Sequence, residues 1–213
     1  MQPQSGVVVR MKRTIFVAFF CLCACALVQA GSGPVILEND PGHKWAVSLE
    51  TAQMFNIDNN PNRYFFLTQM LSLDFEPFRA LELGPVRIRT QIRSTFFASA
   101  IFNGPESYYL GWGPQLRFII PIGQSPWSLF LGGGAGLGYA DAHPSDKYDK
   151  GLGQGFTFIV LASGGVRYDI SDRWSAWAGV MWHHLSNGEL SQPNKTNIGL
   201  DEVGLLTGVA FAF

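Results

Sequence analysis

The C-terminal part of the chain carries three side chains that together can hydrolyse an ester. His184 and Ser186 stand two residues apart, and Asp201 follows after a polar connection. A serine hydroxyl is a weak nucleophile until a base takes its proton, and histidine is the usual base. A carboxylate orients the imidazole and stabilises its cation. The pattern predicts acyl transfer with Ser186 as nucleophile, His184 as base and Asp201 as acid.

Residues next to the three in the chain are further candidates for the same chemistry. Asn187 follows the nucleophile and can donate an N–H to the oxyanion of a tetrahedral intermediate. Glu202 is the alternative acid, although strand alternation places it on the face opposite to Asp201. His183 also points away from His184 by this alternation, so we interpret it as a packing residue.

The elements that must position these residues are strands. Tight turns are expected at 123–126 and 171–173, long polar loops at 141–154 and 187–200, and a join of intermediate length at 75–85. Short turns at one end and longer loops at the other are typical of bacterial β-barrels. Eight segments have the alternation or composition of strands, and they cover residues 44–54, 63–74, 86–101, 107–120, 127–140, 155–169, 174–186 and 201–213.

The fold class predicted is all-β, an eight-stranded antiparallel transmembrane β-barrel. The chain is rich in aromatic residues, at 14%, and has only 15% charged residues. Within 86–101, Arg87, Arg89 and Arg93 alternate with apolar or small residues, which suits the lumen of a small membrane barrel. A soluble eight-stranded barrel of the lipocalin type is the alternative, with its apolar face turned inward.

The first thirty residues have the pattern of a secretory signal peptide. Met11 is the expected start, residues 14–27 are apolar, and Val28-Gln29-Ala30 gives a cleavage signal. The barrel is then expected over 31–213. All three cysteines fall inside the leader, and a lipoprotein signal around Cys23 and Cys25 is the alternative. The mature part has twelve basic and sixteen acidic residues, a net charge of −4, so no nucleic-acid partner is expected.

Strand alternation also predicts which face carries the chemistry. In the last strand Val203, Leu205 and the bulky residues after them share a face with Asp201. In the strand before it, Trp182 shares a face with His184 and Ser186. The three side chains are therefore expected on the outer surface near the rim, where a charged group costs only about 0–1 kcal/mol.

The run His184-Leu185-Ser186-Asn187, followed by Asn197-Ile198-Gly199-Leu200-Asp201 and a final strand, resembles the PagL family of lipid A 3-O-deacylases. The resemblance implies an eight-stranded outer-membrane barrel that hydrolyses the ester-linked acyl chain at the 3-position of lipid A. It assigns the base and nucleophile to His184 and Ser186, the oxyanion donor to Asn187, and supporting roles to Asn197 and Gly199. The chain departs from the family where Asp201 replaces the more frequent Glu, and where Glu189 follows Gly188.

The partners implied are lipid A within lipopolysaccharide and the outer membrane itself. We expect no cofactor, and no spacing of His, Asp and Glu suggests a metal site. The oligomeric state stays open, with a homodimer among the options. Two other functions are alternatives: a non-enzymatic structural or surface-binding barrel, and an acyltransferase that adds an acyl chain to lipid A.

Overall fold

The computed structural model describes residues 44–58, 63–142, 151–190 and 199–213. The predictions for the leader and for Asn197 lie outside these residues. Among the residues described, no helix is long and apolar enough to cross a membrane. The described part contains nine strands: β1 (Trp45–Asn56), β2 (Phe65–Phe75), β3 (Leu81–Leu83), β4 (Val86–Phe102), β5 (Tyr108–Pro121), β6 (Trp127–Ala140), β7 (Phe156–Asp169), β8 (Trp174–Ser186) and β9 (Leu200–Ala212).

Eight of these strands form a closed antiparallel barrel. Each pairs with its neighbour along the chain, β1 pairs with β9, and β2 pairs with β4 to complete the circle. The short β3 pairs only with the start of β4 and stands outside the circle. It accounts for the unusual length of the predicted join at 75–85. The predicted eight-stranded barrel is confirmed.

Side chains alternate along most of each long strand between an exposed outer face and a buried lumen. In β4, Gln91, Arg93 and Thr95 are buried, as the sequence predicted for this face. The outer face carries large apolar side chains on every strand, among them Leu49, Leu71, Phe96, Leu110, Leu131, Phe158, Val180 and Leu205. An apolar outer face around buried charged side chains is the arrangement of a membrane barrel, whereas a lipocalin-type barrel has a polar outer face, and the soluble alternative is therefore wrong.

A network of paired charges fills the middle of the lumen. The Arg93 guanidinium donates to Asp74 and to Glu50, each at 2.8 Å. Glu50 also accepts from Arg117 at 2.5 Å and from the Trp177 indole N–H at 2.8 Å. Two carboxylates thus face two guanidinium groups, so that the buried charges compensate one another. Charge-assisted hydrogen bonds of this kind tie β1, β2, β4, β5 and β8 together across the lumen.

The two ends of the barrel differ. The end that holds the start of β1 and the end of β9 contains a cavity of about 600 Å³, lined by charged side chains such as Glu76, Arg89 and Arg167. Its connections include the short turns after β5 and β7. The opposite end carries the connections after β1, β4, β6 and β8. His184, Ser186 and Asp201 lie at this second end.

Candidate active site

The pairing of β8 with β9 places a histidine beside a carboxylate. His184 is the register partner of Asp201. Their side chains meet on the outer face of the barrel, with 2.9 Å between His184 Nδ1 and Asp201 Oδ1. The histidine side chain is 34% exposed and the aspartate 7%. A carboxylate that accepts the Nδ1 proton leaves Nε2 with a lone pair, so Nε2 is the nitrogen able to act as a base.

Ser186 lies two residues beyond His184 on the same face of β8. Gly199 packs against both. A Cβ added to this glycine would lie 3.1 Å from His184 Nε2, 2.7 Å from His184 Cε1 and 3.5 Å from Ser186 Cβ. The Nε2–Cε1 edge of the imidazole and the Ser186 side chain therefore lie against the same glycine. A residue with a side chain at this position would displace the imidazole.

The first connection of the barrel holds the backbone of Asp201. The Asp201 N–H donates to Asp58 Oδ2 at 2.7 Å, and the Asp201 carbonyl accepts from the Ile57 N–H at 2.9 Å. Asn56 Nδ2 donates to the same carbonyl at 3.3 Å. These contacts were not predicted from the sequence. Their only signal is the polar composition of the connection, which contains no information about a contact 143 positions away.

Asn187 directly follows β8, and its side chain lies on the side opposite to Ser186. Its side chain is fully buried, and Nδ2 donates to the carbonyl of Leu152 at 2.9 Å. A tight turn follows, in which the Leu190 N–H donates to the Asn187 carbonyl at 3.2 Å. The two central residues, Gly188 and Glu189, both have positive φ, 60° and 65°. The departure at Glu189 thus puts a non-glycine residue in the left-handed region.

The alternative acid points into the lumen. Glu202 Oε2 lies 2.5 Å from His183 Nε2, and both side chains are almost completely buried. Phe66 contacts the His183 ring edge-on, with 5.4 Å between ring centroids. Glu202 and His183 therefore form a second pair on the inner face, and Glu202 does not approach His184. Among the described residues, no group of three or more His, Cys, Asp or Glu is arranged to hold a metal ion.

Comparison with known proteins gives one family and several similar folds. The family model described as lipid A 3-O-deacylase (PagL) matches residues 88–210, more than half of the chain. The comparison with curated protein sequences gave no significant match. The crystal structure of the outer membrane enzyme PagL aligns with a TM-score of 0.51 at 17% identity, over 76% of this chain and 97% of that one. Neisserial surface protein A aligns with a TM-score of 0.52 at 14% identity, over 79% and 97%. At these identities the structural likeness shows the barrel fold alone.

Proposed function

This chain belongs to the lipid A 3-O-deacylase (PagL) family, and we propose that it hydrolyses the ester-linked acyl chain at the 3-position of lipid A with a Ser186–His184–Asp201 triad. The observation that supports this most directly is the 2.9 Å contact between His184 Nδ1 and Asp201 Oδ1 on the outer face of the barrel. Gly199 lies against both His184 Nε2 and Ser186, which supports Ser186 as the nucleophile of the triad. The function requires that the barrel lies in the outer membrane, because lipid A resides there.

The proposed reaction has two steps. Ser186 Oγ attacks the ester carbonyl while His184 Nε2 takes its proton, and Asp201 stabilises the imidazolium. The sequence predicts Asn187 as the donor to the oxyanion of the tetrahedral intermediate. In the structure Asn187 is fully buried and its amide donates to the Leu152 carbonyl, so this role stays a prediction. Collapse breaks the ester bond, and His184 returns the proton to the departing 3-hydroxyl of lipid A. Water, activated by the same base, then releases the fatty acid from Ser186.

The outward position of the triad determines how the substrate arrives. The charged network around Arg93 and Glu50 fills the middle of the lumen, so an acyl chain cannot reach the triad through the barrel. His184 is instead open on the lipid-facing side. Lipid A that lies in the same leaflet reaches the site laterally, and its acyl chain stays in the apolar phase.

Mass spectrometry of lipid A from cells that produce the chain tests this function. We expect the loss of one hydroxyacyl chain, and no loss with Ser186→Ala. Ser94→Ala is the matched control, because Ser94 also lies on the outer face but on β4, where its hydroxyl accepts from the Trp112 indole. A gain in mass would support the acyltransferase. Unchanged lipid A with a folded, membrane-inserted barrel would support the non-enzymatic alternative.

A further inference from the structure

Aromatic side chains surround the barrel at the end that carries His184, Ser186 and Asp201. They come from six strands, and each stands first or second from this end of its strand, on the outer face. We call them the upper girdle: Phe55, Phe65, Phe102, Tyr108, Tyr139 and Phe156. Neighbouring rings contact one another, with 5.0 Å between the centroids of Phe55 and Phe65 and 5.6 Å between those of Phe65 and Phe102.

A second ring of aromatic side chains, the lower girdle, lies at the opposite end. It consists of three contacting pairs, Trp45 with Phe75, Trp127 with Tyr168 and Trp174 with Phe211, at centroid distances of 4.3, 4.7 and 5.0 Å. On β1, Trp45 and Phe55 stand ten positions apart. Ten residues cover about 33 Å along a strand. A tilt of about 40° reduces this to about 25 Å, the height of the apolar band of a membrane barrel. The two girdles therefore mark the two interfaces of the membrane.

The proposed triad lies in a gap of the upper girdle. Of the eight barrel strands described, β8 and β9 are the two that contribute no ring to it. At the same end, Ser186 is the last residue of β8 and Asp201 is the second residue of β9. The side chains of the triad thus take the place that aromatic rings take on the other six strands. This places the triad at the level of the membrane interface.

We propose that the upper girdle positions the triad for hydrolysis by fixing the depth of the barrel in the membrane. This inference rests on the proposed function. Aromatic side chains favour the interface between the headgroups and the acyl region. The ester that joins an acyl chain to the headgroup lies at this same interface. The girdle therefore keeps Ser186 level with that bond, and a lipid in the adjacent leaflet meets the nucleophile without leaving the membrane.

A triple variant with Phe55→Ser, Phe102→Ser and Tyr139→Ser tests the proposal. The substitutions shorten the apolar band at this end, so the triad moves outward from the ester. In dioleoylphosphatidylcholine vesicles that contain lipopolysaccharide, we expect hydrolysis to fall about 10-fold, as for a misplaced catalytic group. In detergent micelles, which impose no fixed depth, the rate should stay within about 2-fold of the wild type. Thinner dimyristoylphosphatidylcholine vesicles should restore most of the lost rate, because they match the shortened band.

The matched control replaces the same three residues by tryptophan. Phe55→Trp, Phe102→Trp and Tyr139→Trp keep a ring at each position, so the rate in both kinds of vesicle should equal that of the wild type. Heat-dependent migration on gels measures the folded fraction of both triple variants. A triple serine variant that loses equal activity in vesicles and in micelles would overturn the proposal, because the change would then lie in the site itself.

A cysteine below the triad reports the depth without any substrate. Val203 lies on the outer face of β9, is 39% exposed and stands two residues from Asp201, about 7 Å along the strand. A water-soluble maleimide reacts with a thiolate in contact with water. In vesicles, Val203→Cys should be labelled about 5-fold faster in the triple serine background than in the wild-type or tryptophan background. Peptide mass spectrometry assigns the label to this position.

The labelling separates this proposal from the proposed function. Equal labelling of Val203→Cys in the serine and wild-type backgrounds would overturn the role of the girdle in fixing the depth. A folded wild-type chain that hydrolyses no lipid A would overturn the proposed function. The labelling rates would still show whether the girdle holds the barrel at this depth.

Discussion

His183 and Glu202 lie against each other on the inner face of the barrel, with 2.5 Å between His183 Nε2 and Glu202 Oε2. The candidate pair His184 and Asp201 lies on the outer face of the same two strands, displaced by one residue in each. Both pairs depend on a single register between β8 and β9. A slip by one residue would exchange the faces of one strand, so the inner pair helps to keep the outer pair together.

The two acids should therefore respond differently to neutralisation. Asp201→Asn should lower kcat by about 10⁴-fold while the barrel stays folded, because an amide does not hold the correct imidazole tautomer. Glu202→Gln should lower the free energy of unfolding by about 1–3 kcal/mol, because it weakens the buried contact with His183, and should lower kcat far less. Urea unfolding in vesicles and lipid A hydrolysis measure the two effects. A larger loss of kcat in Glu202→Gln would make Glu202 the acid.

The alternation along single strands explains why much of the fold was predictable. The faces of β8 and β9 follow from residue parity alone, and they put His184 and Asp201 on one surface before any contact is known. The number of barrel strands was predicted from the same alternation, counted segment by segment. The three-residue β3 was not predicted, because Leu81–Leu83 is too short to show a period.

The supporting contacts were not predictable, because they depend on closure of the barrel. Asp58 reaches Asp201 only because β1 pairs with β9, and Glu106 reaches Leu152 only because separate connections meet at one end. Such contacts join residues far apart in the chain. Period and composition describe neighbours and contain no information about these distances.

Asp58 should contribute to catalysis through the backbone of Asp201. Asp58→Ala removes the acceptor of the Asp201 N–H, so the carboxylate is held less firmly against His184. We expect kcat to fall about 10-fold with KM nearly unchanged, as for a displaced catalytic group. Asp172→Ala, in the turn at the opposite end, is the control and should have wild-type activity. Equal kinetics of the two variants would exclude this role for Asp58.

Gly199 should not tolerate even a methyl group. The Cβ of Gly199→Ala would lie 2.7 Å from His184 Cε1, so the imidazole must shift from its position. A displacement of this kind is expected to lower kcat about 100-fold. The folded fraction, measured by heat-dependent migration on gels, should match the wild type because the contact is with a surface side chain. Unchanged hydrolysis by folded Gly199→Ala would show that the space beside Gly199 is not used in the reaction.

Glu189 should be replaceable by glycine with a gain in stability. Its φ of 65° lies in the left-handed region, where a residue with a Cβ is disfavoured by about 1–2 kcal/mol. Glu189→Gly should raise the free energy of unfolding by up to about 1 kcal/mol, since glycine loses part of the gain as backbone entropy. Hydrolysis should be unchanged or faster, because the turn next to Asn187 is retained. Glu189→Ala removes the charge but keeps the strain, so it should leave stability near the wild type. If both variants were equally stabilised, the cause would be the charge of Glu189 and not its backbone.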